Sequence, residues 1–235
     1  MAKLELIISC EHADNQVPEV YAQLFAGSEA LLKSHCGYDI GVLPFAHQLA
    51  QSLGVPLHTC QITRLLVDAN RRLSSPTLFS NFSRSLPKVD RQRLLDLYYH
   101  PYRQAVTKAV VEGLKRGATV WHLSLHSFTP ILHGQVRKAD VGLLYDPALV
   151  GDAALCRRWQ ALLNNLDPRW RVRRNYPYRG VSDSLTTQLR RTLDHGDRYC
   201  GIELEINQRF PEVGGSTWQD LQRDLIRSIR KLLER

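Results

Sequence analysis

Apolar positions along this chain change their spacing many times, and each change marks an element. Leu4-Glu5-Leu6-Ile7-Ile8-Ser9-Cys10 is mostly apolar, the pattern of a central strand buried on both faces. The turn Glu11 to Pro18 is polar and ends in a proline suited to open a helix, and Glu19 to Phe25 follows as a short helical stretch. Ile40, Leu43, Phe45, Ala46, Leu49 and Leu53 recur close to helical spacing, so a helix runs from about Asp39 to Leu53, where Gly54 stops it. Val55 to Ile62 reads as the next strand, and Leu65-Leu66-Val67 continues it or begins a second short one. These lead to Asp68-Ala69-Asn70-Arg71-Arg72, and from there to Pro87 the chain is rich in Ser, Asn and Pro, the composition of an ordered loop over a site.

Asp90 to Arg116 has a long helical pattern with Pro101 inside it, which predicts a kink or break near His100. Ala118 to Leu125 alternates as a buried strand. Then come a strand at Asp140 to Asp146, a helix at Gly151 to Leu166, an edge strand at Trp170 to Arg174 and a short helix at Asp183 to Leu193. Tyr199 to Ile206 is the last core strand, Pro211 to Gly215 a loop, and Ser216 caps a terminal helix reaching about Leu233. Strands alternating with helices predict an α/β fold, with a mixed, mostly parallel central sheet and helices on both faces. No repeat, low-complexity segment or linker divides the chain, so residues 1–235 are read as a single domain.

Chemistry collects where the predicted strands end. The first ends in Glu11-His12, the Ala118 strand in His126-Ser127, and the last carries Glu203 and Glu205. In open α/β sheets ligands are held at such strand ends. A catalytic zinc site takes three protein ligands from His and carboxylate, plus a water. His12 and His126 supply two. Asp39, at the start of a helix, is the first choice for the third; Glu11 competes with it, and Asp140 is a weaker candidate. Period-two alternation puts Glu203, Glu205 and Asn207 on one face and Leu204 and Ile206 on the other. Carboxylates in a core strand need a partner or a role, and a hydrolytic metal site needs a base. Asn70-Arg71 ends a strand-like run, and an Arg there suits a bidentate grip on a carboxylate. Tyr178 and Arg179 lie in a Gly/Pro-rich loop able to close over a substrate.

Composition narrows this little. The net charge of +8, from 31 Lys+Arg against 23 Asp+Glu, fits an anionic substrate or a nucleic acid. No nucleic-acid motif accompanies the basic clusters, which argues against the second. Neither GxGxxG after a strand nor GxxxxGK[ST] occurs, so a nucleotide lacks its usual cradle. Five cysteines, odd in number and without CxxC spacing, read as free thiols in a reducing cytoplasm. Met1-Ala2-Lys3 leads straight into the first strand, so no signal peptide is expected, and no apolar run approaches a membrane span.

Eight pieces, in order along nearly the whole chain, resemble the N-formylglutamate amidohydrolase family. They are Ser9-Cys10-Glu11-His12-Ala13-Asp14-Asn15-Gln16-Val17-Pro18, His35-Cys36-Gly37-Tyr38-Asp39-Ile40-Gly41, Arg64-Leu65-Leu66-Val67-Asp68-Ala69-Asn70-Arg71 and Tyr99-His100-Pro101-Tyr102-Arg103. His126-Ser127-Phe128-Thr129-Pro130, Asp140-Val141-Gly142-Leu143-Leu144-Tyr145, Asn175-Tyr176-Pro177-Tyr178-Arg179-Gly180 and Gly201-Ile202-Glu203-Leu204-Glu205-Ile206-Asn207-Gln208 complete the set. That family is similar in fold to the zinc carboxypeptidases, which implies a zinc-exopeptidase-like architecture.

The resemblance implies one Zn2+ per chain with His12 and His126 as ligands, and Asn70 and Arg71 as the clamp on a substrate carboxylate. It implies Tyr178 as a mobile loop contact and Glu205 as general base. The carboxypeptidases use a His-x-x-Glu pair, whereas here Asn15 stands three residues after His12, so the carboxylate ligand stays open between Asp39 and Glu11. The implied reaction is hydrolysis of N-formyl-L-glutamate, a small anionic N-acyl amino acid, to formate and L-glutamate. An amidase or peptidase on the same scaffold, and a basic binding protein without catalysis, are the competing readings. Oligomeric state is left open.

Overall fold

The computed structural model describes residues 3–193 and 196–234. Its first elements are strand β1 (Leu4–Cys10), a 3-10 turn at Glu19–Phe25, helices α1 (Glu29–Leu32) and α2 (Val42–Leu53), strand β2 (Leu57–Thr59) and helix α3 (Lys88–Leu94). A π-helical turn at Leu95–Tyr99 joins α3 to α4 (His100–Lys115); β3 (Thr119–Phe128) follows, then the small hairpin β4 (Ile131–Leu132) and β5 (Gln135–Val136). The rest comprises β6 (Val141–Leu144), α5 (Val150–Leu166), β7 (Val172–Arg174), α6 (Leu185–Thr192), β8 (Tyr199–Asn207), α7 (Arg209–Val213) and α8 (Gly215–Leu233). The expectation of no leader falls on Met1 and Ala2, which lie outside the described residues.

Six strands form one sheet in the order β2-β1-β3-β8-β6-β7. The first four run parallel, β6 is antiparallel to β8, and β7 is parallel to β6. This is the mixed, mostly parallel α/β sheet that the alternation of elements predicts. The three strands whose ends carry chemistry, β1, β3 and β8, are neighbours although far apart in sequence.

Side-chain alternation gives the sheet two unlike faces. Leu6, Ile8 and Cys10, with Leu123, Leu125, Leu204 and Ile206, belong to a core completed by α2, α5 and α8 through Phe45, Leu49, Trp159, Leu163, Leu225 and Ile229. The opposite face is apolar only at the N-terminal ends of the strands, where Ile7, Val120 and Tyr199 pack with Val106 and Val110 of α4. Toward the C-terminal ends the same face turns polar: Ser9, Ser124 and Glu203 lie in one row, and His126 and Glu205 face each other in the next register position but one. All five are buried. A strand buried on both faces is normally apolar throughout, so this polar end is where the fold gives up packing for chemistry.

Three local expectations change. Leu65-Leu66-Val67 is not a strand but a turn, with Leu66 and Val67 buried in the second core. The sheet edge ends at Thr59, and the chain then crosses over the strand tips, which brings Arg64 and Asp68 to the site. The long helix does not simply kink at His100. Its irregularity is a π turn whose last bond runs from His100 N–H to the Leu95 carbonyl, directly before Pro101, which cannot donate a helical hydrogen bond. Ser216 does not cap α8; the helix starts at Gly215 after Gly214, which holds a positive φ of 69° with no side-chain cap, and the expected loop at Pro211 is largely α7.

Candidate metal and active centre

His12 is in the turn after β1, Asp39 stands three residues before the start of α2, and His126 is on β3. One ligand atom from each lies within 4.8 Å of the others, and all three residues are buried. The His126 Nδ1 is 2.9 Å from Asp39 Oδ2, and the His12 Nδ1 is 3.7 Å from the same oxygen. Neighbouring ligand atoms around a tetrahedral ion with bonds of 2.0–2.1 Å stand about 3.3 Å apart, so the two separations bracket what such an ion requires.

The far nitrogen of each ring is engaged by a buried carboxylate. His12 Nε2 is 2.7 Å from Asp68 Oδ1; His126 Nε2 is 3.2 Å from Glu11 Oε2 and 2.9 Å from Ser124 Oγ. A carboxylate on Nε2 selects the tautomer that leaves Nδ1 bare, the arrangement that holds metal-ligating imidazoles. His12 Nδ1 is buried without a hydrogen-bond partner among the described residues. A bare, buried ring nitrogen beside a carboxylate and a second imidazole is a donor set that fits a divalent cation.

Charge at the centre supports that fit. Burial by itself raises the Asp39 carboxyl, but Arg64, in contact with it, and the two imidazoles outweigh burial and hold it well below the usual range. Burial opposes charge on His126, yet its bonds to Asp39 and Glu11 drive it well above the ordinary histidine value.

Glu11 and Asp39 occupy different sides of His126. Glu11 sits behind the ring, fully enclosed, accepting from Ser9 Oγ at 2.8 Å, Tyr102 Oη at 2.8 Å and Ser124 Oγ at 2.5 Å. Asp39 stands on the open side, where Ser127 N–H donates to Oδ2 at 3.1 Å. Asp140 is apart from the group, paired with Arg171 at 3.1 Å and Arg209 at 2.5 Å.

Glu205 is opposite His126 in the β3–β8 register. Its Oε2 is buried and has no hydrogen-bond partner among the described residues, and burial pushes the carboxyl up to about 8 despite the pull of His126. Glu203, two residues earlier, accepts from Thr186 Oγ1 at 2.7 Å, so a hydroxyl engages it. Gly142 pairs with Glu205 across the sheet, and a Cβ there would stand 2.0 Å from the Tyr176 carbonyl oxygen. Glycine therefore lets the 175–180 loop lie close against this strand.

Asn70 and Arg71 reach the same cleft, together with His12, Asp39, Arg64, His126, Tyr178, Arg179 and Glu205. Leu185 N–H, at the start of α6, donates to Asn70 Oδ1 at 2.8 Å, leaving the amide nitrogen on the His126 side, 3.4 Å from Nε2. The loop is pinned from α4 and the turn before it: Tyr99 Oη donates to the Arg71 carbonyl at 2.7 Å and Arg103 to the Ala69 carbonyl at 2.7 Å. Tyr178 is at the rim, 44% exposed. Arg137 donates to its hydroxyl at 3.1 Å and lies 5.1 Å over its ring. His12, Asp39, Asn70, Arg71, His126, Tyr178 and Glu205 thus line one cleft, whereas the other carboxylate candidates Glu11 and Asp140 do not.

The family model described as N-formylglutamate amidohydrolase matches residues 4–210. The chain belongs to the N-formylglutamate amidohydrolase family. As a member it is a hydrolase of amide bonds. Among solved structures it is similar to the gene product Atu2144 from Agrobacterium tumefaciens, at 27% identity and TM-score 0.81 over 99% of this chain and 92% of that one. It is also similar in fold to an N-formylglutamate amidohydrolase from Ralstonia eutropha JMP134, at 21% identity and TM-score 0.73 over 100% of this chain and 94% of that one. No curated protein matches the sequence.

The pieces resembling this amidohydrolase family are the ones that build the cleft, and several hold residues to which sequence reasoning gave no role. Asp68, Arg64, Tyr102 and Arg103 are the main four. Each was in a matching piece, but nothing in the spacing shows that Asp68 meets His12 or Tyr102 meets Glu11. No helix among the described residues is long and apolar enough to cross a membrane.

Proposed function

We propose that this amidohydrolase is a zinc enzyme that removes the N-acyl group, and specifically the N-formyl group, from an acidic amino acid. The reaction is N-formyl-L-glutamate plus water to formate and L-glutamate. The observation that carries this reading is the convergence of His12, Asp39 and His126, with Glu205 opposite His126 in the sheet and its buried Oε2 without a hydrogen-bond partner among the described residues. Family membership supports the bond type, and the fold shared with the Ralstonia enzyme is in keeping with it.

His12 and His126 would hold one Zn2+ through Nδ1 and Asp39 through a carboxylate oxygen, a set of three ligands that leaves room for water and substrate. When bound, such an ion polarises a carbonyl and makes water acidic near neutral pH. Glu205 takes the proton of the attacking water on a carboxylate oxygen and returns it to the amide nitrogen as the C–N bond breaks. A carboxyl whose burial brings it near neutrality can do both. Arg71 grips a substrate carboxylate, Asn70 donates its amide N–H, and Tyr178 covers the cleft mouth. Asp68 and Glu11 keep both imidazoles turned the right way. A small dianion suits the basic chain. Five free cysteines, four of them buried, favour a cytoplasmic setting.

The test is metal content of the purified protein together with formate release from N-formyl-L-glutamate by wild type and His126→Ala. One zinc per chain, with release lost in the variant, is expected. Zinc without formate release moves the search to other N-acyl amino acids and peptides. Neither zinc nor release overturns the enzyme reading and leaves a binding role.

A further inference from the structure

Three arginines line the cleft, and they are not equivalent. Arg64 is committed to Asp39. Arg71 donates to the Asp183 carbonyl and stands 3.7 Å from Asp68. Arg179 is exposed and makes no side-chain hydrogen bond or ion pair with the described residues. A substrate with two carboxylates needs two cationic contacts besides the reacting centre, and Arg71 supplies one.

The backbone around Arg179 is fixed. Asn175 N–H donates to the Leu143 carbonyl at 2.8 Å, and Asn175 Oδ1 accepts from Tyr145 N–H at 3.1 Å and Gly180 N–H at 3.0 Å. The next residue, Gly180, lies so close to the Tyr145 backbone that a Cβ would stand 2.1 Å from its nitrogen. The Gly180 carbonyl accepts from Arg190 and, at 3.0 Å, from Thr187 Oγ1, while Ser182 N–H donates to the Arg179 carbonyl at 2.9 Å. An uncommitted cation on a braced loop, rather than on a free one, binds an anion at low ordering cost.

We propose that Arg179 is the specificity residue that reads the second, side-chain carboxylate of the substrate while Arg71 holds the first. This rests on the N-acyl acidic amino acid reading above. Guanidinium and carboxylate form a strong charge-assisted pair, whereas the isosteric primary amide of glutamine offers no charge. Arg179 therefore sets the preference for glutamate over glutamine, and leaves the hydrolytic step to other groups.

The experiment measures kcat/KM of wild type, Arg179→Gln and Arg179→Lys on N-formyl-L-glutamate and N-formyl-L-glutamine. In parallel, L-glutamate and L-glutamine are titrated calorimetrically into each zinc-loaded protein. Loss of a hydrogen bond to a charged group predicts that the glutamate-over-glutamine ratio falls about 10- to 100-fold in Arg179→Gln, mostly through KM, with partial recovery in Arg179→Lys. Equal losses on both substrates, or an unchanged ratio, overturn the proposal and leave the deformylase reading standing. If wild type releases no formate yet binds glutamate over glutamine through Arg179, the subsite stands and the deformylase reading falls. With neither release nor preference in wild type, both fall.

Discussion

Replacing Glu205 by Gln in the metal-free protein has a stability effect whose size and pH dependence follow from the site. The carboxyl has an ordinary value of 4.5 and is pushed up to about 8 in the folded chain by burial. Below the unfolded value both states are neutral, and the group costs nothing. Between the two values the unfolded chain ionises while the folded one stays protonated, so wild-type stability falls by about 1.4 kcal/mol per pH unit. Above the folded value the penalty levels off, at roughly 5 kcal/mol for the full interval. Gln is neutral in both states and escapes this term. Its unpaired amide adds an offset, but one that does not change with pH. Asp39, Asp68 and Glu11 are held well below the usual carboxylate range by their partners and do not titrate in the folded chain between pH 5 and 8.

Urea unfolding of both proteins in chelator at pH 5, 6, 7 and 8 is the assay. Glu205→Gln should gain on wild type by about 1.4 kcal/mol for each unit, most of the rise lying between pH 5 and 8. Two curves that run parallel across this range would refute the claim that Glu205 is neutral and desolvated in the folded site.

Other consequences can be measured directly. Glu205→Gln in the zinc-loaded enzyme should lower kcat for formate release by about 10²- to 10⁴-fold with little change in zinc affinity, read by single-substrate kinetics and metal titration. Asp68→Ala frees His12 Nε2 from its partner at 2.7 Å and should weaken zinc about 10- to 100-fold in competition with a chromogenic chelator; unchanged affinity would count against His12 as a ligand. Gly142→Ala drives a Cβ to 2.0 Å from the Tyr176 carbonyl and should cost about 1–3 kcal/mol in chemical denaturation. Gly151→Ala, where a Cβ meets nothing within 4 Å, should cost nothing and can gain up to about 1 kcal/mol.

Much of this site was legible in the chain because strand alternation is strict. On β8 it separates Glu203 and Glu205 from Leu204 and Ile206, and the structure keeps that division, one set in the cleft and the other in the core. Helix α2 likewise follows the spacing of its apolar residues and stops at Gly54, which takes a positive φ of 66°. Leu65 to Val67 shows where the pattern misleads: Leu66 and Val67 are buried, and Leu65 partly so, without a strand, since burial demands a neighbour and not a strand.

What only tertiary structure decided is which groups meet. Sheet order makes neighbours of β1, β3 and β8, and no local pattern encodes that order. The choice between Asp39 and Glu11 is finer still. Both carboxylates touch His126, one at Nδ1 and one at Nε2. The two nitrogens belong to one ring, and which faces the cleft depends on Ser9, Tyr102 and Ser124 gathering around Glu11 from three separate elements. A sequence fixes the chemical kinds of group available; the ring's orientation is set by hydrogen bonds that exist only after distant segments have packed.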